Sequence, residues 1–278
     1  MSRIPTVTLN NGVEIPQLGF GLYKVPAESV RDLVPAAVDA GLRHLDTASM
    51  YGNELALGRA LGAVLEEGSL AREDFFVTSK VWNDDQGYDS TLRAFDASMV
   101  ALGLDVLDLY LIHWPAPARG LYVESYKALE TLYREGRVRA IGVSNFQPEH
   151  LERVLDECEV VPAVNQVEMH PWLQQRELRA FHTEHGITTE AWSPLARGRL
   201  LEDPALQRIA SEHGRSVAQV ALRWQIQEGS VTFPKASTAA RIAENSALFD
   251  FALSPADMAE IAGLDRDFRS GSHPDAVN

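Results

Sequence analysis

The stretch His44 to Glu54, HLDTASMYGNE, sets a carboxylate, Asp46, five positions before a phenol, Tyr51, on one short connection behind an apolar run. Either residue alone has an ordinary role, the acid as a helix cap and the tyrosine as a loop cover. Two further groups change the reading. Lys80 closes FFVTSK and His113 closes LYLIH, so each delivers a polar group where an apolar run ends. An ammonium at the end of a buried strand is badly desolvated unless a carboxylate neutralises it, which pairs Lys80 with Asp46. A free phenol has a pKa of about 10, and a nearby ammonium favours its ionised form. The expectation is a proton-transfer site in which Asp46 acts through Lys80, Lys80 brings the Tyr51 pKa down, and Tyr51 delivers the proton. His113 would orient a substrate oxygen.

For these side chains to meet, the elements carrying them must end at one place. Short β-branched or aromatic runs alternate with segments of helical period along nearly the whole chain, the pattern of parallel strands with crossover helices. The eight strand candidates are QLGFGL near 17, RHLDT near 43, FFVTSKV near 75, LDLYLIH near 107, RAIGVS near 139, AVNQVE near 163, TTEAWS near 188 and SVTFPK near 230. Helical stretches between them include SVRDLVPAAVDAG, STLRAFDASMVALG, VESYKALETLYREG and RELRAFHTEHG, each closed by Gly. Pro35 weakens the case for the first of these alone. TVTLNNGVEIP, with Asn-Gly between two alternating arms, predicts a β-hairpin that plugs one end of a barrel. Eight βα units in 278 residues with no linker or composition break suit a single-domain α/β (β/α)8 TIM barrel over 1–278. The irregular segment from about 266 to 278 would lie over its mouth.

Bulk composition narrows the partners. Asp and Glu outnumber Lys and Arg 39 to 25, a formal charge of -14, with no basic run, which argues against nucleic acid and anionic membranes. An apolar fraction of 45% supports a large core, and no segment approaches the ~20 apolar residues of a membrane span. The single cysteine, Cys158, has no internal partner, and the opening MSRIPTVTLNNG carries no apolar signal-peptide core. A cytoplasmic, monomeric protein acting on a small molecule is expected.

In a barrel the strand ends gather at one mouth, and here they deliver Asp46, Lys80, His113, Ser144 with Asn145, Gln166, Ser193 and Lys235. A proton donor facing a carbonyl makes a reductase only beside a hydride source. GFGLYK lacks the last Gly of the dinucleotide-binding fingerprint, so another cradle is needed. Ser144, Asn145 and Gln166 are suited to hold a carboxamide, Trp192 to stack on its ring, and Lys235 with Arg241 around a helix start to hold an anion.

Along essentially its whole length the chain resembles the aldo-keto reductases. LDTASMYGNE, TSKVW, LYLIHWP, IGVSNF, VNQVEMHP and PK followed by RIAEN stand in that family's order and spacing. The resemblance implies a (β/α)8 barrel that reduces aldehydes, ketones or dicarbonyls with a nicotinamide cofactor, by a tetrad matching Asp46, Tyr51, Lys80 and His113. It implies cofactor contacts at Ser144, Asn145, Gln166, Ser193, Leu195, Lys235, Arg241, Glu244 and Asn245, and pocket walls at Tyr23, Trp82 and Trp114. Within the family the chain is similar to the bacterial branch containing 2,5-diketogluconate reductases. Ala236 stands where a hydroxyl residue commonly meets the adenosine 2'-phosphate, and Thr238 where relatives can carry Arg. Lys235 and Arg241 keep NADPH as the expected cofactor, and these two departures leave NADH as an alternative. Trp192 replaces the usual Tyr.

Other readings make different demands. A cofactor-binding sensor on the same barrel would bind nucleotide without turnover. A metal hydrolase would use His170, His182 and His185, but the strand-end HxH pair that many such barrels use is missing. A two-carboxylate glycosidase would need Glu168 and Glu190 opposed across a sugar.

Overall fold

In the computed structural model, which describes residues 4–278, Asn11 and Gly12 turn the chain between β1 (Thr6–Thr8) and β2 (Glu14–Pro16), paired antiparallel with Val7 opposite Ile15. The first three residues, part of the opening stretch and of the expected 1–278 domain, lie outside the described residues. The eight expected strands all form: β3 (Gly19–Gly21), β4 (His44–Asp46), β5 (Phe76–Val81), β6 (Leu107–Ile112), β7 (Val138–Ser144), β8 (Val164–Glu168), β9 (Thr188–Trp192) and β10 (Val231–Thr232). They pair in parallel and in chain order. The ring closes where Leu18 bridges Thr232 and the Thr232 amide donates to the Gln17 carbonyl at 2.9 Å. Gly21 permits that closure, because a Cβ there would stand 2.6 Å from the Phe233 carbonyl oxygen.

Around the barrel lie α1 (Ala27–Asp39), α2 (Glu54–Glu66), α3 (Tyr88–Leu102), α4 (Tyr122–Arg134), α5 (Pro148–Glu157), α6 (Arg176–Glu184), α7 (Pro204–His213), α8 (Val217–Gln227), α9 (Ala239–Ser246) and α10 (Pro255–Ala262). Pro35 sits inside α1, yet the helix continues past it. Burial of Val30, Leu33, Val34 and Ala37 on one stripe offsets the roughly 3 kcal/mol that an interior proline costs.

Strand alternation decides what fills the barrel. Phe76, Leu109, Ala140, Val164 and Val231 face inward in the lower barrel and Leu111 one step above Leu109, and they form one buried cluster with Leu9 and Ile15 of the hairpin. This apolar plug closes the floor. The same inward rows, continued toward the strand ends, carry Asp46, Lys80, His113, Ser144, Gln166 and Trp192, so most of the inward polar groups collect toward the other end.

Candidate active site

Asp46 ends β4, and the chain then turns through a short 3-10 helix, Ser49–Tyr51, closed by Gly52 in the left-handed conformation (φ 68°). That turn is pinned from several sides. The Ser49 hydroxyl donates to the Lys80 carbonyl at 3.0 Å, and Thr47 donates to Asn53, whose amide donates to the Leu22 and Val25 carbonyls. Tyr51 is thereby held facing Lys80 on the neighbouring strand. Lys80 is completely buried and spends three N–H bonds at 2.8 Å, on both Asp46 oxygens and the Thr47 carbonyl. Its nitrogen lies 3.5 Å from the Tyr51 hydroxyl. The His113 ring stands edge-on to Tyr51, with centroids 5.6 Å apart, and to Trp82 at 5.1 Å. Tyr23 tilts over Tyr51 at 5.1 Å and Trp114 meets Trp192 at 6.4 Å, so aromatic rings wall this mouth.

The electrostatics overturn one expectation. Tyr51 is pushed well above the ordinary phenol range, first by desolvation and then by the Asp46 and Tyr23 charges. The Asp46 charge, raising the phenol, and desolvation outweigh the pull of the Lys80 ammonium that Asp46 holds. Tyr51 is therefore a protonated donor at neutral pH. Burial pushes the Asp46 carboxyl upward against the opposing pull of Lys80 and Gln166. Burial, and then Lys80, holds His113 well below the usual histidine range, so its ring is neutral; its Nδ1 is buried without a hydrogen-bond partner.

Beside the tetrad, Asn145 and Ser193 leave the strand ends with positive φ, 64° and 52°, a conformation that non-glycine residues keep only where surroundings enforce it. Asn145 donates to the His113 carbonyl and the Ser144 hydroxyl, and its Oδ1 accepts from the Trp192 indole at 2.8 Å. The Ser144 hydroxyl donates to the Gln166 carbonyl. Gln166 sends its side-chain nitrogen inward to Asp46 and Glu190. What remains on Asn145 and Gln166 is acceptor capacity, which fits a carboxamide NH2.

Ser193 also meets Ser270 of the C-terminal segment. Glu168 accepts from the Ser270 and Gly271 backbone amides and from the Ser270 hydroxyl. Gly271 packs so closely on Trp192 that a Cβ would fall 2.5 Å from the indole. Asn278 accepts from the Ala118 amide, so the segment reaches across the loop after β6.

Farther along the mouth, Thr238 caps α9 by accepting from the Arg241 amide, and both Lys235 and Arg241 are exposed with no ion-pair partner among the described residues. Two free cations at a helix start fit a phosphate group. Ala236 is 3% exposed and faces the core, offering no hydroxyl. Asn245 is buried and Glu244 exposed on the same helix, while Leu195 is half-buried after β9.

Sequence reasoning missed the contribution of His44 and Glu190, which sit beneath the tetrad, and the docking role of Glu168. The signal was strand parity: His44 shares a face with Asp46, and Glu190 with Trp192. Of the residues considered as metal ligands, His182 is committed to Asn165 and Thr189, and His170 to Glu168.

The family model described as Aldo/keto reductase family matches residues 17–266. The chain is 51% identical over 274 residues to an aldo-keto reductase of Mycolicibacterium smegmatis, covering 99% of this chain and 98% of that one. It is 51% identical over 273 residues to the glyoxal reductase of Bacillus subtilis, covering 98% and 97%. A crystal structure of a Gox0644 mutant in complex with NADPH superposes with a TM-score of 0.95 at 45% identity, covering 100% of both chains.

Proposed function

We propose, for a chain that belongs to the aldo/keto reductase family, that it reduces aldehydes, ketones or dicarbonyls to alcohols with NADPH, Tyr51 being the proton donor. The observation that carries this is the fully buried Lys80–Asp46 pair beside the Tyr51 hydroxyl, with the neutral His113 ring alongside. When bound, the nicotinamide supplies a hydride to the carbonyl carbon. Tyr51 gives its proton to the carbonyl oxygen, and His113 helps to orient that oxygen. As the proton leaves, the nearby Lys80 ammonium stabilises the phenolate, while Asp46 holds the ammonium in place.

Ser144, Asn145, Gln166 and Trp192 would hold the nicotinamide end, with Ser193 and Leu195 along the diphosphate. Lys235, Arg241, Glu244 and Asn245 would hold the adenosine end. The two cations, unpaired among the described residues, favour NADPH, and NADH remains the alternative because Ala236 contributes no hydroxyl. The NADPH-bound Gox0644 mutant supports the cofactor, and the glyoxal reductase relative supports dicarbonyls among the substrates. Tyr23, Trp82 and Trp114 would form the apolar entrance. We assign one domain with the segment from about 266 to 278 over the mouth, an assignment supported by the Glu168 contacts. A monomer suffices because every group invoked comes from one chain. The acidic balance argues against nucleic acid. No helix among the described residues is long and apolar enough to cross a membrane, and the lone cysteine suits a reducing cytoplasm.

Replacing Tyr51 with Phe tests the assignment. Turnover with glyoxal should fall by about 10²- to 10⁴-fold, the usual worth of a general acid. NADPH binding, followed by quenching of tryptophan fluorescence, should persist. Wild-type turnover in Tyr51→Phe would remove Tyr51 from its role. Cofactor binding by the wild type with no turnover across a carbonyl panel would favour the sensor reading.

A further inference from the structure

Glu190 lies on β9, facing the barrel axis, with no exposure to solvent. Nothing in the proposed reaction requires a second carboxyl there. Its Oε2 accepts from Gln166 Nε2 at 2.8 Å, and the same nitrogen donates to Asp46 Oδ2 at 2.9 Å. Its Oε1 is buried without a hydrogen-bond partner, 3.9 Å from His44 Nε2, which is itself turned to Thr78. The charged or titratable groups facing it are His44 and Asp46 from β4 and Lys80 from β5. On its other flank β10 contributes Val231 and Thr232, neither of them ionisable.

A primary carboxamide has two N–H groups and one carbonyl oxygen. Asp46 and Glu190 use both Gln166 hydrogens on the inner side, so only its oxygen is left. Turning the amide over would aim that oxygen at the Asp46 carboxylate, which can only accept, an arrangement of acceptor against acceptor in a low-dielectric interior, and would give up the Nε2 bond to Glu190. The cluster also counts its charge. One ammonium faces two carboxyls, and Asp46 already holds the ammonium through both oxygens, so the Glu190 carboxyl keeps its proton; its pKa is raised to about 8 by burial and by Asp46.

We propose that Glu190 is a positioning residue that locks the Gln166 carboxamide in one orientation, with Oε1 presented as an obligatory acceptor to the amide NH2 of the cofactor. The proposal rests on the NADPH reading above, since it is that ligand which brings a carboxamide to Gln166. The lock itself is a property of the protein alone.

Two readouts test it. In ¹⁵N-labelled protein without ligand, the two Gln166 side-chain protons, assigned with Gln166→Glu, should exchange slowly in the wild type and in Glu190→Gln, which keeps an acceptor. At least one should exchange faster in Glu190→Met. Fluorescence titrations should show the wild type preferring NADP⁺ to its 3-acetylpyridine analogue, which lacks the NH2, by about fivefold, the worth of one hydrogen bond. Glu190→Met should lose most of that preference and Glu190→Gln should recover it. Equal binding of the two nucleotides by the wild type would overturn the proposal without any variant, as would unchanged exchange in Glu190→Met. Should the wild type bind no NADP(H), the functional reading falls, and amide exchange still decides the lock.

Discussion

At the residue scale, the site works by assigning protonation states. Desolvation and Asp46 keep Tyr51 protonated, and burial keeps His113 neutral, so a protonated phenol and an uncharged imidazole stand side by side. Asp46 and Lys80 were legible in the sequence because each closes an apolar strand. The direction of the Tyr51 shift was not, since it depends on how far desolvation and the Asp46 charge outweigh the pull of the ammonium. Lys235 and Arg241 behave differently, being exposed and unpaired among the described residues. Removing either charge should weaken NADPH binding by about fivefold, near 1 kcal/mol for a screened contact, and leave NADH nearly unchanged. Fluorescence titrations with both nucleotides measure this, and equal losses for NADPH and NADH would remove the two cations from the 2'-phosphate.

At the element scale, the barrel's floor and its mouth are held by separate devices. Asp108, on β6 and 1% exposed, accepts from the Val77 amide, Arg72 and Arg139, tying β5, β6 and β7 together on their outer side. Asp108→Ala would strand these donors, and we expect a loss of about 2–3 kcal/mol in urea unfolding with kcat unaltered. A large fall in kcat in the folded variant would mean that the outer bonds also set the tetrad geometry. At the mouth, the Ser49–Tyr51 turn is fixed by bonds to Lys80 and through Thr47 and Asn53, a dependence on several strands that no local sequence rule exposes. Pro35 gave the opposite lesson. Its local penalty was visible, but the buried stripe that outweighs it required the packed helix.

At the scale of the whole molecule, buried titratable groups of opposite type shape stability against pH. Glu190 is raised from 4.5 to about 8, so between these values the folded state holds a proton that the unfolded chain has released, and stability falls as pH rises. His44 and His182 are lowered from 6.5 to about 3, so in that window the unfolded chain binds the extra protons and stability falls as pH drops. Glu190→Gln should remove the alkaline component alone. Its advantage over wild type should widen by about 3 kcal/mol between pH 4.5 and 7, as measured by urea unfolding across that range. Parallel curves would show that Glu190 is not protonated in the fold. The eight strands, the hairpin and the pairing of Asp46 with Lys80 were readable from the chain alone, because strand alternation and the residue closing each strand are local properties. Tertiary structure alone decided the Gln166 orientation, the Glu190 charge state, the Tyr51 protonation and the docking of Ser270 and Gly271 on Glu168. Those depend on distances across the barrel between residues as far as 120 positions apart, and on the low dielectric that exists only once the barrel has closed.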